Sequence, residues 1–123
     1  MVKFANLDER IGIVDQLGES VSPVVLVNVF TVDSREAEDV IAASTTDAEF
    51  MKRQPGFIWT QLHRGIGGSS TFLNYAVWES VAAFRAAFEH PEFQGKIDAY
   101  PPSAVSQPHL FRKVAIPGIC VVG

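Results

Sequence analysis

The segment Phe72-Leu-Asn-Tyr-Ala-Val-Trp78 limits the possible folds more than any other stretch of the chain. It is apolar, rich in aromatic and β-branched residues, and follows the turn-forming run Gly65-Ile-Gly-Gly-Ser-Ser70, a pattern that predicts a buried strand. Side chains alternate along a strand, so Phe72, Asn74, Ala76 and Trp78 share one face while Leu73, Tyr75 and Val77 share the other. One face thus carries a carboxamide and an indole N–H on an otherwise apolar surface. Burying an unpaired amide costs about 1 to 3 kcal/mol. Asn74 is therefore expected either to meet a protein partner or to line a cavity that receives something polar.

A second strand of this kind precedes it. Pro23-Val-Val-Leu-Val-Asn-Val-Phe-Thr-Val32 is dense in valine, and its alternation places Leu26, Asn28 and Phe30 together, again an asparagine beside an aromatic. Asp33 with Glu36 forms a capping-box-like start, and Val40, Ile41, Ser44, Ala48 and Met51 recur at helical spacing. A helix is predicted over 34–53, ended by Pro55-Gly56. Phe57–Arg64 follows as a strand with Trp59, Gln61 and His63 on one face and Ile58, Thr60 and Leu62 on the other, and the glycine turn joins it to 72–78 as a hairpin. Ser80 is placed to N-cap a short helix through Phe88; a further helical stretch runs from about Glu92 to Tyr100. Pro101 to Pro108 is expected as a stiffened loop, and the alternation of Leu110, Arg112, Val114 and Ile116 predicts a last strand stopped by Pro117-Gly118.

The order β-α-β-β-α-β defines an α+β class, the ferredoxin-like split βαβ with an antiparallel sheet and both helices on one face. Residues 23–116 are expected to form the domain, 1–22 a peripheral N-terminal arm whose scattered apolar residues could lie over the domain or over a partner subunit, and 117–123 a C-terminal tail. Helices can cover only one face of such a sheet, yet several strands are apolar on both. A second copy of the chain, packed sheet to sheet as a homodimer, is the simplest cover.

Charge and composition exclude other classes. The net charge of −4 and scattered basic residues argue against nucleic acid, which needs a clustered positive surface. No apolar run approaches the roughly 20 residues of a membrane span, and the N-terminus lacks a signal-peptide layout, so a cytoplasmic protein is expected. The lone Cys120 cannot form an intrachain disulfide or a zinc site and is expected to pack as a small hydrophobe.

The run Asn74-Tyr75-Ala76-Val77-Trp78-Glu79-Ser80, the following Ala83-Phe84-Arg85, and Gln54-Pro55-Gly56-Phe57 resemble the antibiotic biosynthesis monooxygenase superfamily of dimeric α+β barrels. The resemblance spans about residues 23–116 and is nearest to the cofactor-independent anthrone oxygenases of aromatic polyketide pathways. It implies a small aromatic substrate, O₂ and no cofactor or metal. By matching position it also implies catalytic roles for Asn28, Asn74 and Trp78. In that chemistry an anthrone loses a proton to give an electron-rich enolate, which reduces O₂ directly; radical recombination and loss of water leave a quinone. Trp78 and Asn74 would stabilise enolate or peroxide oxygen, Asn28 would orient the substrate, and Phe30, Trp59 and Phe72 would form apolar walls, with His63 and Phe84 also at the substrate.

Two departures accompany the resemblance. Phe84 stands where a family tyrosine can transfer a proton, and a family arginine has only Lys96 as a loose counterpart. The haem-degrading branch uses a tryptophan and a histidine at positions corresponding to Ala87 and about Ile97, so haem oxygenation is not expected. Other possibilities remain open to the sequence. Asn28 and Asn74 could hydrogen-bond each other across adjacent strands, His63 could be a solvated strand-end residue, and the fold could serve a ligand-binding or stress-response dimer, an isomerase or a quinol oxidase.

Overall fold

The computed structural model describes residues 2–122. Its sheet has five strands: β1 (Lys3–Phe4), β2 (Val24–Thr31), β3 (Phe57–Arg64), β4 (Thr71–Trp78) and β5 (Val105–Phe111), in the order β1-β5-β2-β4-β3. The four long strands are antiparallel and give the expected split βαβ arrangement. Helices α1 (Ile13–Gln16), α2 (Ala37–Met51), α3 (Val81–Phe88) and α4 (Pro91–Lys96) complete the structure.

Local chemistry sets the helix ends. Asp33 accepts from Arg35 N–H and caps a 3-10 turn at Ser34–Glu36 that leads into α2. Ser80 Oγ accepts from Ala83 N–H at 3.1 Å and starts α3, while His90 caps α4, whose first residue is Pro91. Between α2 and β3, Gly56 has φ +87°, and a Cβ there would lie 2.4 Å from that of Ala83. Only glycine serves both the turn and the close approach of α3.

Alternation puts Leu26, Phe30, Phe72, Ala76 and Trp78 on the helix-covered face, all buried. They enter two clusters. One gathers Trp78, Phe50, Phe84 and Leu110; the other gathers Phe30, Phe72, Val40 and Tyr100. On the opposite face Val27, Val29, Leu73, Tyr75 and Val77 are only partly covered, and Trp59 and Phe111 are exposed.

Three expectations need correction. Residues 2–22 pack onto the domain and do not stand apart as a peripheral arm: β1 pairs in parallel with β5, Val2 is buried, and Ile13 and Leu17 enter the Trp78 cluster. The period is hard to see because the helix carrying this contact, α1, is only four residues long and the neighbouring Leu7, Ile11 and Val14 are exposed. The last strand begins at Val105, ends at Phe111 and contains Pro108, while Val114 and Ile116 are exposed. Proline fits because of edge parity. Leu110 N–H points to the outer edge, where Gln16 Oε1 accepts it at 2.9 Å. Pro108, two residues earlier, directs its missing donor the same way, past the end of β1. Cys120 is exposed, beside the Ile116 to Cys120 bridge that closes the Pro117-Gly118 turn.

Candidate active site

Between the sheet and the helices lies a cavity of about 450 Å³, within the range for small-molecule sites. The sheet contributes Asn28, Thr60, Asn74 and Ser106 as its polar groups, and Phe30, Leu62, Ala76 and Trp78 as apolar wall. From the other side α2 supplies Ser44, Asp47 and Met51, and α3 supplies Phe84 and Phe88.

Asn28 and Asn74 are direct register partners on β2 and β4. They do not bond to each other. Thr60 Oγ donates to Asn74 Oδ1 at 2.7 Å, and Ser106 Oγ donates to Asn28 Oδ1 at 2.8 Å. Thr60 opposes Ala76 and Ser106 opposes Phe30, so the two carbonyl oxygens are drawn along the strands in opposite directions. Each Nδ2 donor has no protein acceptor among the described residues. Two neutral donors thus sit side by side on an apolar floor.

Trp78 also borders the cavity, four residues from Asn74, or about 13 Å along the strand. Its ring packs edge-on with Phe57 at 5.4 Å and with Phe84 at 5.8 Å. Its Nε1 is sealed from solvent and has no hydrogen-bond partner. Phe84 is buried at the cavity wall and Phe30 lines the other end.

The remaining candidates lie elsewhere. Trp59 and His63 project from the opposite face of the sheet, where Trp59 packs against Tyr75 and is 47% exposed, and His63 Nδ1 lies 3.3 Å from Leu73 O. A bulge between Phe57 and Trp59 accounts for the local pattern: it returns Phe57 to the cavity side with Thr60 and Leu62 and turns Ile58 outward. Phe72 is buried in the Phe30 cluster behind the wall, with the Arg64 guanidinium 5.2 Å from its ring centroid. None of these three touches the cavity.

Sequence reasoning missed a cluster on the helix side. Tyr100 stacks on Phe30 with centroids 5.3 Å apart and donates its hydroxyl to Asp47 Oδ2 at 2.5 Å, while Ser44 Oγ lies 3.3 Å from the same hydroxyl. Asp47 Oδ1 has no partner and is shielded from solvent. Burial pushes the Asp47 carboxyl up to about 6, against the opposing effects of the Tyr100 hydrogen bond and the Lys96 charge. Burial and the adjacent carboxylate raise the Tyr100 phenol, so its proton stays in place. A signal existed: Asp47 lies between Ser44 and Ala48, two positions of the helical stripe.

A mostly apolar sheet-and-helix cavity with a few convergent polar groups is the usual form of a small-molecule site on an α+β fold. The antibiotic biosynthesis monooxygenase family model matches residues 23–97, and the chain belongs to that family and is a monooxygenase. Deoxynogalonate monooxygenase of Streptomyces nogalater is 35% identical over 94 residues, which cover 76% of this chain and 79% of that protein. Tetracenomycin-F1 monooxygenase of Streptomyces glaucescens is 37% identical over 76 residues, 59% of this chain and 65% of that protein. The crystal structure of SnoaB, a cofactor-independent oxygenase from Streptomyces nogalater, superposes with a TM-score of 0.71 at 30% identity, covering 80% of this chain and 99% of that one.

Proposed function

We propose that the protein oxidises a planar polycyclic anthrone or quinol-like substrate to a quinone with O₂, without a cofactor. The observation that carries this is the Asn28 and Asn74 pair, whose carbonyl ends are tied to Ser106 and Thr60 while both amide donors remain free in the cavity. Donors fixed before the reaction stabilise charge as it develops, because no reorganisation is needed at that moment. The register changes one expected role: with Asn28 directly opposite Asn74, both amides address the same substrate oxygen. They favour the enolate. Trp78 lies at the far end, where its unpartnered N–H is the donor for the peroxide or a second substrate oxygen. Phe30 and Phe84 hold the ring system between them. Similarity to a cofactor-independent oxygenase, to a deoxynogalonate monooxygenase and to a tetracenomycin-F1 monooxygenase supports the same assignment.

The working form is a homodimer in the cytoplasm. Support for the dimer comes from the partly covered Val27, Val29, Leu73, Tyr75 and Val77, continuous with exposed Trp59 and Phe111. No helix among the described residues is long and apolar enough to cross a membrane, and the exposed thiol of Cys120 suits a reducing compartment. Light scattering should give twice the 13.5 kDa chain mass, falling to the chain mass in Tyr75→Lys. For the reaction, turnover of a simple anthrone under oxygen-18 gas should place one labelled atom in the quinone. Unlabelled product, or none, contradicts it.

A further inference from the structure

The helix side of the cavity holds a carboxyl group that the asparagine site leaves without a task. Asp47 lines the same space as Asn28 and Asn74 but approaches from α2, across the cavity from the sheet. One carboxyl oxygen is fixed by the Tyr100 hydroxyl, and Tyr100 is itself stacked on Phe30, which shares the strand face of Asn28. The other oxygen has no partner and is screened from solvent, a costly arrangement unless that atom is used. The sheet opposite presents only neutral polar groups: Asn28, Thr60, Asn74 and Ser106. A substrate lying between them would have donors against its oxygen on one side and a proton acceptor on the other.

We infer that Asp47 is the base that removes the substrate C–H proton, with Tyr100 as the positioning residue that holds its carboxylate. This rests on the oxygenase assignment above. In the step, the C–H bond breaks, an O–H bond forms on the Asp47 carboxylate, and the electron pair stays on the substrate as an enolate whose oxygen faces the two asparagine amides. O₂ then accepts one electron from the enolate, and the two radicals combine. The peroxide anion takes the proton back from Asp47, and loss of water from the hydroperoxide gives the quinone carbonyl. Atoms and charge balance with O₂ as the sole oxidant.

The acceptor must be ionised to act. Its elevated value of about 6 brings the carboxylate close to working pH as a stronger base than an ordinary surface aspartate, which is the tuning general bases show. The charges bearing on it are few. Tyr100 and Lys96 face it from the chain after α3, Ser44 meets the Tyr100 hydroxyl from α2 itself, and Glu49 and Lys52 border the cavity further along α2.

The test separates proton removal from oxygenation. Hydrogen–deuterium exchange at the methylene of a simple anthrone, followed by NMR in anaerobic D₂O, reports the first; O₂ uptake reports the second. Wild type should catalyse both, with kcat/KM rising through a limb near pH 6. Asp47→Asn, its folding checked by circular dichroism, should lose at least 100-fold in exchange and lose that limb. Asp47→Glu should restore part of the exchange with a displaced limb, and Tyr100→Phe should keep exchange while moving the limb. Exchange by wild type that Asp47→Asn loses, without O₂ uptake by either, would sustain Asp47 as the base and defeat the oxygenase assignment. Uptake by wild type, with exchange and limb unchanged in Asp47→Asn, would leave the assignment standing and overturn this inference. If wild type did neither, both would fall.

Discussion

Asn28 and Asn74 stand opposite one another on β2 and β4, yet each spends its carbonyl oxygen on a hydroxyl from its other neighbouring strand, Ser106 of β5 and Thr60 of β3 respectively. Mutual pairing would have satisfied both amides and closed the floor of the cavity. The hydroxyls instead leave the donors unused, which gives the site its chemical character.

Removing those hydroxyls should loosen the amides without removing them. In Ser106→Ala, a buried position, Asn28 Oδ1 loses its partner at a cost of about 1 kcal/mol, and Thr60→Val does the same to Asn74. Both variants should fold. Steady-state kinetics should show kcat falling several-fold with KM changed little, because the loss is in donor orientation. A rise in KM alone would mean that the hydroxyls serve binding.

Asp47 should make stability depend on pH. Its folded pKa, about 6, lies above the ordinary value of 3.8, so the native state binds this proton more tightly than the unfolded chain. Ionisation therefore costs stability. The cost is complete above pH 6 and disappears as pH falls through the folded value towards 3.8. Asp47→Asn should thus be more stable than wild type at pH 7.5, by about 1 kcal/mol after allowance for partial solvent contact, and equal to it near pH 4. Thermal melts at the two pH values check this; equal Tm at pH 7.5 would contradict it.

Gln16 closes the exposed edge of β5. Its carboxamide accepts from Leu110 N–H and donates to Leu110 O, both at 2.9 Å, in the manner of a neighbouring strand. Gln16→Ala should cost about 1 to 2 kcal/mol and speed amide exchange at Leu110 selectively. Unchanged Leu110 protection would show that the contact contributes nothing.

The sheet and its cavity face were legible because alternation is strict where one face is buried. Leu26, Asn28 and Phe30 share that face with Asn74, Ala76 and Trp78, as their spacing requires. Where alternation breaks, sequence reasoning breaks with it. Period two assigns Ile58 the face of Thr60, but the bulge beside it turns Ile58 out. Trp59 and His63 keep to one face, but nothing local reveals that the helices cover the other. Pro108 made β5 resemble a loop because the parity of an edge strand depends on a neighbour 100 residues away. Asp47 was hidden for a related reason: a lone carboxylate on a helix is usually solvated, and only the approach of Tyr100 makes it unusual.

The most direct test is O₂ uptake with a simple anthrone in chelator-treated buffer, comparing wild type with Asn28→Ala, Asn74→Ala and Trp78→Phe, each checked for folding. Wild type should consume O₂ and form quinone, and each asparagine variant should be slower by at least tenfold, about 1.4 kcal/mol of barrier, with Trp78→Phe reduced as well. Wild-type uptake no faster than the protein-free control, or asparagine variants as fast as wild type, would contradict the account.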